Sequence, residues 1–248
     1  MNRGSFFNSR SGTRRCFSCI LKPKGTVSER SCLLAVKVSL WHCRSAWGYD
    51  VTVHSKAATV EDYLDALDQA FASLPLTRLR RPEEPACHGC DRCCAERAPL
   101  TIMDCLSLSV ATETRTLNDF LIHYTKVAVT GPVVDITLRR LEDGYCVFLD
   151  RKARTCRVYP VRPFVCRTFF CCPATSRALA LREAIVNKGE DELVRRWLRT
   201  RRVVHYAEMP RVRSRDWPKT PFAEKWDYSA VKLRSVVSRS LWRELSAL

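Results

Sequence analysis

The residues in this chain best suited to chemistry are its cysteines. Of fourteen in 248 residues, Cys87, Cys90, Cys93 and Cys94 fall in one run, Cys-His-Gly-Cys-Asp-Arg-Cys-Cys. Cys146, Cys156, Cys166 and the doublet Cys171-Cys172 follow it. Soft thiolates separated by two residues let one stretch of backbone offer several sulfurs to a metal ion or an iron–sulfur cluster. Three sulfurs at two-residue gaps suit the faces of a cubane cluster. Structural zinc more often takes two separated Cys-x-x-Cys pairs, and here the later cysteines would have to supply the second half. Spacing alone therefore leaves both iron–sulfur and zinc open, with a lean to iron–sulfur.

Such sulfurs need a loop that turns them toward a common centre, and Gly89 inside the first Cys-x-x-Cys suits the positive φ of that loop. The surrounding pattern supplies elements to hold it. Thr59 and Asp62 have capping-box spacing, ahead of Val60, Leu64, Leu67 and Phe71 at helical intervals. Thr101 with Asp104 predicts a second helix through Cys105, Leu106 and Leu108. Thr116 with Asp119 predicts a third, with Leu117, Leu121, Tyr124 and Ala128 on one face. The pattern then turns β-like over 133–138, 145–149 and 155–159, with turns at 142–144 and 150–154 between them. Two more helices are expected, over 176–203 and 222–247. The second carries Trp226, Ala230, Leu233, Val237, Leu241 and Leu245 as an apolar stripe.

Composition narrows the classes. A chain of 248 residues that is 46% hydrophobic can bury a core without disulfide staples. It shows no cleavable apolar leader, so reduced thiols in a cytoplasmic protein are expected. No run reaches the ~18 apolar residues of a membrane span. Only eight glycines are present, with no G-x-G, and H-E-x-x-H and G-x-S-x-G are also missing. Dinucleotide, P-loop, zinc-protease and serine-hydrolase readings thus lack local support. Residues 1–52 are Arg-, Lys- and Ser-rich and read as a basic, disordered extension. Cys16, Cys19, Cys32 and Cys43 lie there without the turn residues of a metal knuckle. The expected layout is that extension, a cysteine-cluster domain over 53–175, and a helical segment over 176–248 packed on it.

Four separated motifs occur in one order: the run from Cys87 to Cys94, Cys146-Val147-Phe148-Leu149-Asp150, Cys156-Arg157-Val158-Tyr159, and Arg162-Pro163-Phe164-Val165-Cys166-Arg167. In this they resemble the YkgJ-type cysteine-cluster family, the CxxCxxCC domain, across roughly 85–173. The resemblance implies a bound metal, zinc or iron, in a small cytoplasmic domain, and it says little about substrate. Carried over by position, it implies Cys87, Cys90, Cys93, Cys94, Cys146, Cys156 and Cys166 as ligands. Cys171 or Cys172 would complete the set. A four-thiolate zinc site carries a formal charge of about −2, which Arg162 and Arg167 are placed in sequence to offset. The flagellin lysine N-methylases, distant relatives with similar cysteines, make a lysine N-methyltransferase-like enzyme an alternative, although no methyl-donor fingerprint is evident.

Other residues have plainer readings. Cys105 on an apolar helical face reads as a buried thiol, and His88 as a loop residue that is solvated or bonded to a carbonyl. His123 and His205 lack partner spacing. Net charge is +16, and five arginines around Trp197 between Arg195 and Arg202 offer a nucleic-acid stripe as a second alternative. A solvated helix face is the commoner outcome of such a run. The fold expected is α+β: a cysteine-rich metal-binding domain with short strands, flanked by helices. Its role would be structural, redox or metal handling, with the metal ion as partner, no membrane, and the protein partner left open.

Overall fold

The computed structural model describes residues 34–43, 46–72, 90–200 and 217–247. The fold is α+β, and the described residues form helices and three separate antiparallel strand pairs sharing one hydrophobic core. The first pair corrects the sequence reading. Val36–Cys43 (β1) and Ala46–Val53 (β2) pair in register from Val36↔Val53 to Cys43↔Ala46, within the stretch assigned to a disordered extension. Period-two alternation accounts for it: Tyr49, Val51 and Val53 are buried, while Asp50 and Thr52 between them are not. Five residues are too few to stand out after a long basic lead. Opposite Trp41 the strand has Gly48, where a Cβ would lie 2.1 Å from the indole ring. The ring occupies the space a side chain would need.

Val60–Phe71 (α1) starts at the expected capping box. Thr59 Oγ1 accepts from the Asp62 amide and Asp62 Oδ2 accepts from the Thr59 amide. Its buried face, including Tyr63, Leu64, Leu67 and Phe71, packs on β1. Ile102–Ala111 (α2) and Leu117–Tyr124 (α3) also begin at their predicted caps, Thr101 and Thr116. Ala128, expected on the third helix, instead lies in Thr125–Thr130 (β3), paired with Val133–Leu138 (β4) around Gly131 at φ 58°. Thr125 ends the helix by turning extended, and its hydroxyl donates to the Leu121 carbonyl at 2.6 Å. β-branched residues then favour the strand.

The β-like runs at 145–149 and 155–159 contract to Leu149–Asp150 (β5) and Thr155–Cys156 (β6). Asp150 Oδ1 accepts from the amides of Lys152 and Ala153 and holds the turn between them. Phe164–Arg167 (α4) follows, then the 25-residue Ser176–Thr200 (α5).

The last predicted helix is also broken. After a 3-10 turn at Tyr228–Ala230 come only Leu233–Val236 (α6) and Arg239–Leu245 (α7). Asp227 and Ser238 side chains accept from the Ala230 and Leu241 amides, and such side chains cap new starts instead of continuing a helix. Glu224 at φ 60° and extended Val237 interrupt the backbone. The stripe is accordingly split, with Leu233 and Leu245 buried and Trp226 72% exposed.

The core ignores the expected boundaries at 53 and 176, since it joins Val36 and Val51 to Leu193, Leu233 and Leu245. Among the described residues no helix is long and apolar enough to cross a membrane. Where α5 crosses the start of α2, Gly189 lies so close to Thr101 that an added Cβ would meet Thr101 Cβ at 2.5 Å. Gly189→Ala is expected to lower unfolding free energy by about 1–3 kcal/mol through overpacking, despite alanine's better helix propensity. Urea denaturation showing no loss would contradict that close approach.

Candidate metal centre

Cys90 and the 3-10 turn Arg92–Ala95 begin the site, and the turn presents Cys93 and Cys94. The Cys94 amide donates to the Asp91 carbonyl at 3.0 Å, and the Cys94 carbonyl accepts from the Cys146 amide at 2.8 Å. That second bond ties the cysteine run to a stretch fifty residues later. β5 and β6 bring Cys156 opposite Leu149, and α4 carries Cys166. Cys90, Cys93, Cys94, Cys146, Cys156 and Cys166 all line one cavity of about 220 Å³. All six are free thiols, as are Cys105, Cys171 and Cys172. Cys87 and His88 lie outside the described residues, as do Cys16, Cys19, Cys32 and His205.

The six cysteines share this lining with apolar side chains such as Phe71, Leu138, Phe148 and Phe170. Among the described residues no three Cys, His, Asp or Glu side chains form a group that could hold one metal ion. They are nevertheless close enough to sense one another. The Cys94 thiol is held far above the usual range, chiefly by its hydrogen bond to Cys93 and then by burial, with Cys93, Cys146 and Cys166 adding repulsion. Burial pushes Cys146 up to about 11 and raises Cys166 strongly, with neighbouring cysteines acting in the same direction. Crowded, desolvated thiols of this kind keep their protons until a cation takes their place.

Two sulfurs have help in the opposite sense. The Phe148 amide lies 3.5 Å from Cys146 Sγ and donates to it, and the Val158 amide donates to Cys156. Each amide lies two residues beyond its cysteine, and each bond favours the thiolate. Hydrogen bonds to sulfur of this sort also tune thiolate-ligated metals. Burial raises the Cys156 thiol overall, while Arg162, stacked 4.2 Å above the Tyr159 ring, and Arg157 act to lower it. Arg157 had not been singled out in the sequence, although it directly follows Cys156. Its guanidinium donates to the Val147 carbonyl at 2.6 Å and eases Cys146 as well.

Arg167 lines the cavity but already pairs with Glu61 at 3.4 Å and Asp68 at 2.9 Å on α1. Its charge is thereby mostly answered by α1 instead of the sulfurs. Cys171 and Cys172 do not line the cavity. Their segment leaves along β2, where the Tyr49 amide donates to the Pro173 carbonyl at 3.0 Å and the Thr175 amide to the Tyr49 carbonyl at 3.1 Å. Burial raises Cys172 to about 12.

Cys105 is fully buried in the core of α2, and His123 is exposed on α3. The arginine stripe on α5 is partly turned inward. Trp197 is fully buried, Arg195 is buried in an ion pair with Glu192, and Arg196 lies 3.7 Å from the same carboxylate. A buried indole cannot stack on a base. Sequence reasoning also missed the second role of Asp104, beyond its helix cap. Its Oδ1 accepts from the Phe164 amide at 2.8 Å, at the start of the helix bearing Cys166, and from the Tyr228 hydroxyl at 2.7 Å. No single spacing rule links positions so far apart.

Residues 86–190 match the model of the CxxCxxCC family, described as "Putative zinc- or iron-chelating domain". This region contains the six cavity cysteines, and the match supports metal binding as their general chemistry. No curated protein and no solved structure matches the chain.

In metal-free, reduced protein, alkylation of Cys146 by iodoacetamide is expected to follow a pH midpoint near 11 and so to be slow at pH 8, where almost no thiolate is present. Peptide mass spectrometry across pH 7–11 reads this directly. A Cys146 that titrates near 9 would show that the cavity does not desolvate it.

Proposed function

We propose that the chain binds a thiolate-ligated metal centre in this cavity, an iron–sulfur cluster in preference to a lone zinc ion. The observation that carries the reading is the gathering of six cysteines from four separate stretches around one space. The donor set fits: soft sulfurs suit zinc and iron–sulfur centres, two of them accept backbone amides, and Arg157 and Arg162 supply nearby positive charge. The preference for a cluster rests on shape. Zinc held by four thiolates needs its sulfurs about 2.3 Å from the ion, whereas among the described residues no three of these donors form a group that could hold one ion. A centre of several metal atoms suits so spread a donor set better.

Cys90, Cys93, Cys94, Cys146, Cys156 and Cys166 are the proposed ligands, with Cys87 as a further member of the same run. Cys171 is dropped from the set. When bound, the centre would supply electron transfer or structural cross-linking, and the chain's own residues would hold it and limit water around it. The Phe148 and Val158 amides and the Arg157 guanidinium would lessen the cost of holding thiolate charge at Cys146 and Cys156. Thiolate ligation of this kind belongs in a reducing compartment.

Anaerobic purification followed by iron, zinc and acid-labile sulfide analysis tests the reading. Bound iron with sulfide and broad visible absorbance is the expected result. A colourless, zinc-loaded protein would reject the cluster and leave a zinc site. Cys90→Ser and Cys166→Ser should each lower metal content and thermal stability, and undiminished metal in both variants would reject the ligand assignment.

A further inference from the structure

Asp104 is 3% exposed and sits among three parts of the chain. Its Oδ2 accepts from the Thr101 amide at 2.9 Å, and its Oδ1 from the Phe164 amide at 2.8 Å and the Tyr228 hydroxyl at 2.7 Å. The Tyr228 oxygen lies 2.6 Å from Thr101 Oγ1. Because the phenol's single proton goes to Asp104, the threonine hydroxyl must donate to the tyrosine oxygen. The result is a closed set of buried polar contacts. It connects the cap of α2, the first amide of α4 and a residue 38 positions beyond the end of the family match at 190.

Phe164 is two residues before Cys166, and α4 is a single four-residue turn. So short a helix has little stability of its own, and its orientation depends on what holds its first amides. The turn has no side-chain cap of its own, because its N-cap is Pro163. Asp104 supplies the missing acceptor from another helix. Packing adds to this, since the Phe164 ring lies 5.7 Å from the Tyr228 ring.

We infer that Tyr228 and Asp104 are positioning residues for the metal centre, setting the direction of Cys166 through the Phe164 amide, so that the segment after residue 217 is part of the site's construction. This rests on the metal-binding reading above and extends it to residues outside the cysteine motifs. Neither side chain is proposed to touch the metal.

The test uses the full chain, reduced and stripped of metal, with Co(II) alone as the probe. Tyr228→Phe retains the ring and removes only the hydroxyl. It should weaken Co(II) affinity about tenfold, the lower end for a residue supporting a ligand, and shift the sulfur-to-cobalt absorption bands. Leu245→Ala, a core truncation in α7 of the same segment, should lower the melting temperature and leave affinity and bands in place. If Tyr228→Phe only lowers the melting temperature, as Leu245→Ala does, with affinity and spectrum unmoved, the positioning role is rejected and the metal reading stands. Should the wild-type chain take up neither Co(II) nor its native metal, the metal reading fails and this inference with it.

Discussion

Putting the Asp104 carboxylate out of water costs several kcal/mol, and the protein accepts that cost in order to join three stretches of chain. Burial raises the carboxyl's pKa, while hydrogen bonds from Thr101, Tyr228 and Phe164 act to lower it; burial is the larger effect. Hydrogen bonds to a charged group contribute roughly 1.5–3 kcal/mol each, so the site is tolerable only while its donors are all in place. Loss of any one donor leaves an under-satisfied buried oxygen. That constraint gives the helix starts at 102 and 164, together with Tyr228, a single mutual arrangement, and the cysteine turn on α4 inherits it.

The cavity works by opposed tendencies. Crowding and desolvation drive its thiols toward the neutral form, as at Cys94, Cys146 and Cys166. Amide donors and two arginines pull Cys156 and Cys146 toward thiolate. Raised thiols couple metal uptake to proton release, whereas the donors lessen the cost of holding the anions afterwards. Arg167 stands apart from this balance: its ion pairs with Glu61 and Asp68 fasten α4 to α1 and make it more a brace than a counter-charge.

Local chemistry was readable where one residue decides the outcome. The Thr59, Thr101 and Thr116 caps were visible because a hydroxyl three residues ahead of an acid has one favourable use, and Cys105 was read as buried from its helical face. The six cavity cysteines were picked out by type and spacing. Longer-range features were not legible. The β1–β2 pair was hidden because alternation over so few residues resembles an irregular basic segment. The supposed final helix kept its period on paper, yet Asp227 and Ser238 each began a new turn. Cys171 was expected as a ligand by adjacency, whereas the cavity lining does not include it. Asp104 was seen as a cap, but its partners lie 60 and 124 positions away, beyond any local pattern.

The clasp between β2 and the chain around Pro173 to Thr175 has a consequence for biosynthesis. Thr175 Oγ1 donates to Asp50 across 125 positions, and closing a loop of that length carries an entropic cost that grows only slowly with length. Translation imposes the stricter order. Tyr49 leaves the ribosome early and must wait for partners made after Cys172, so every cysteine has been synthesised before this clasp can shut.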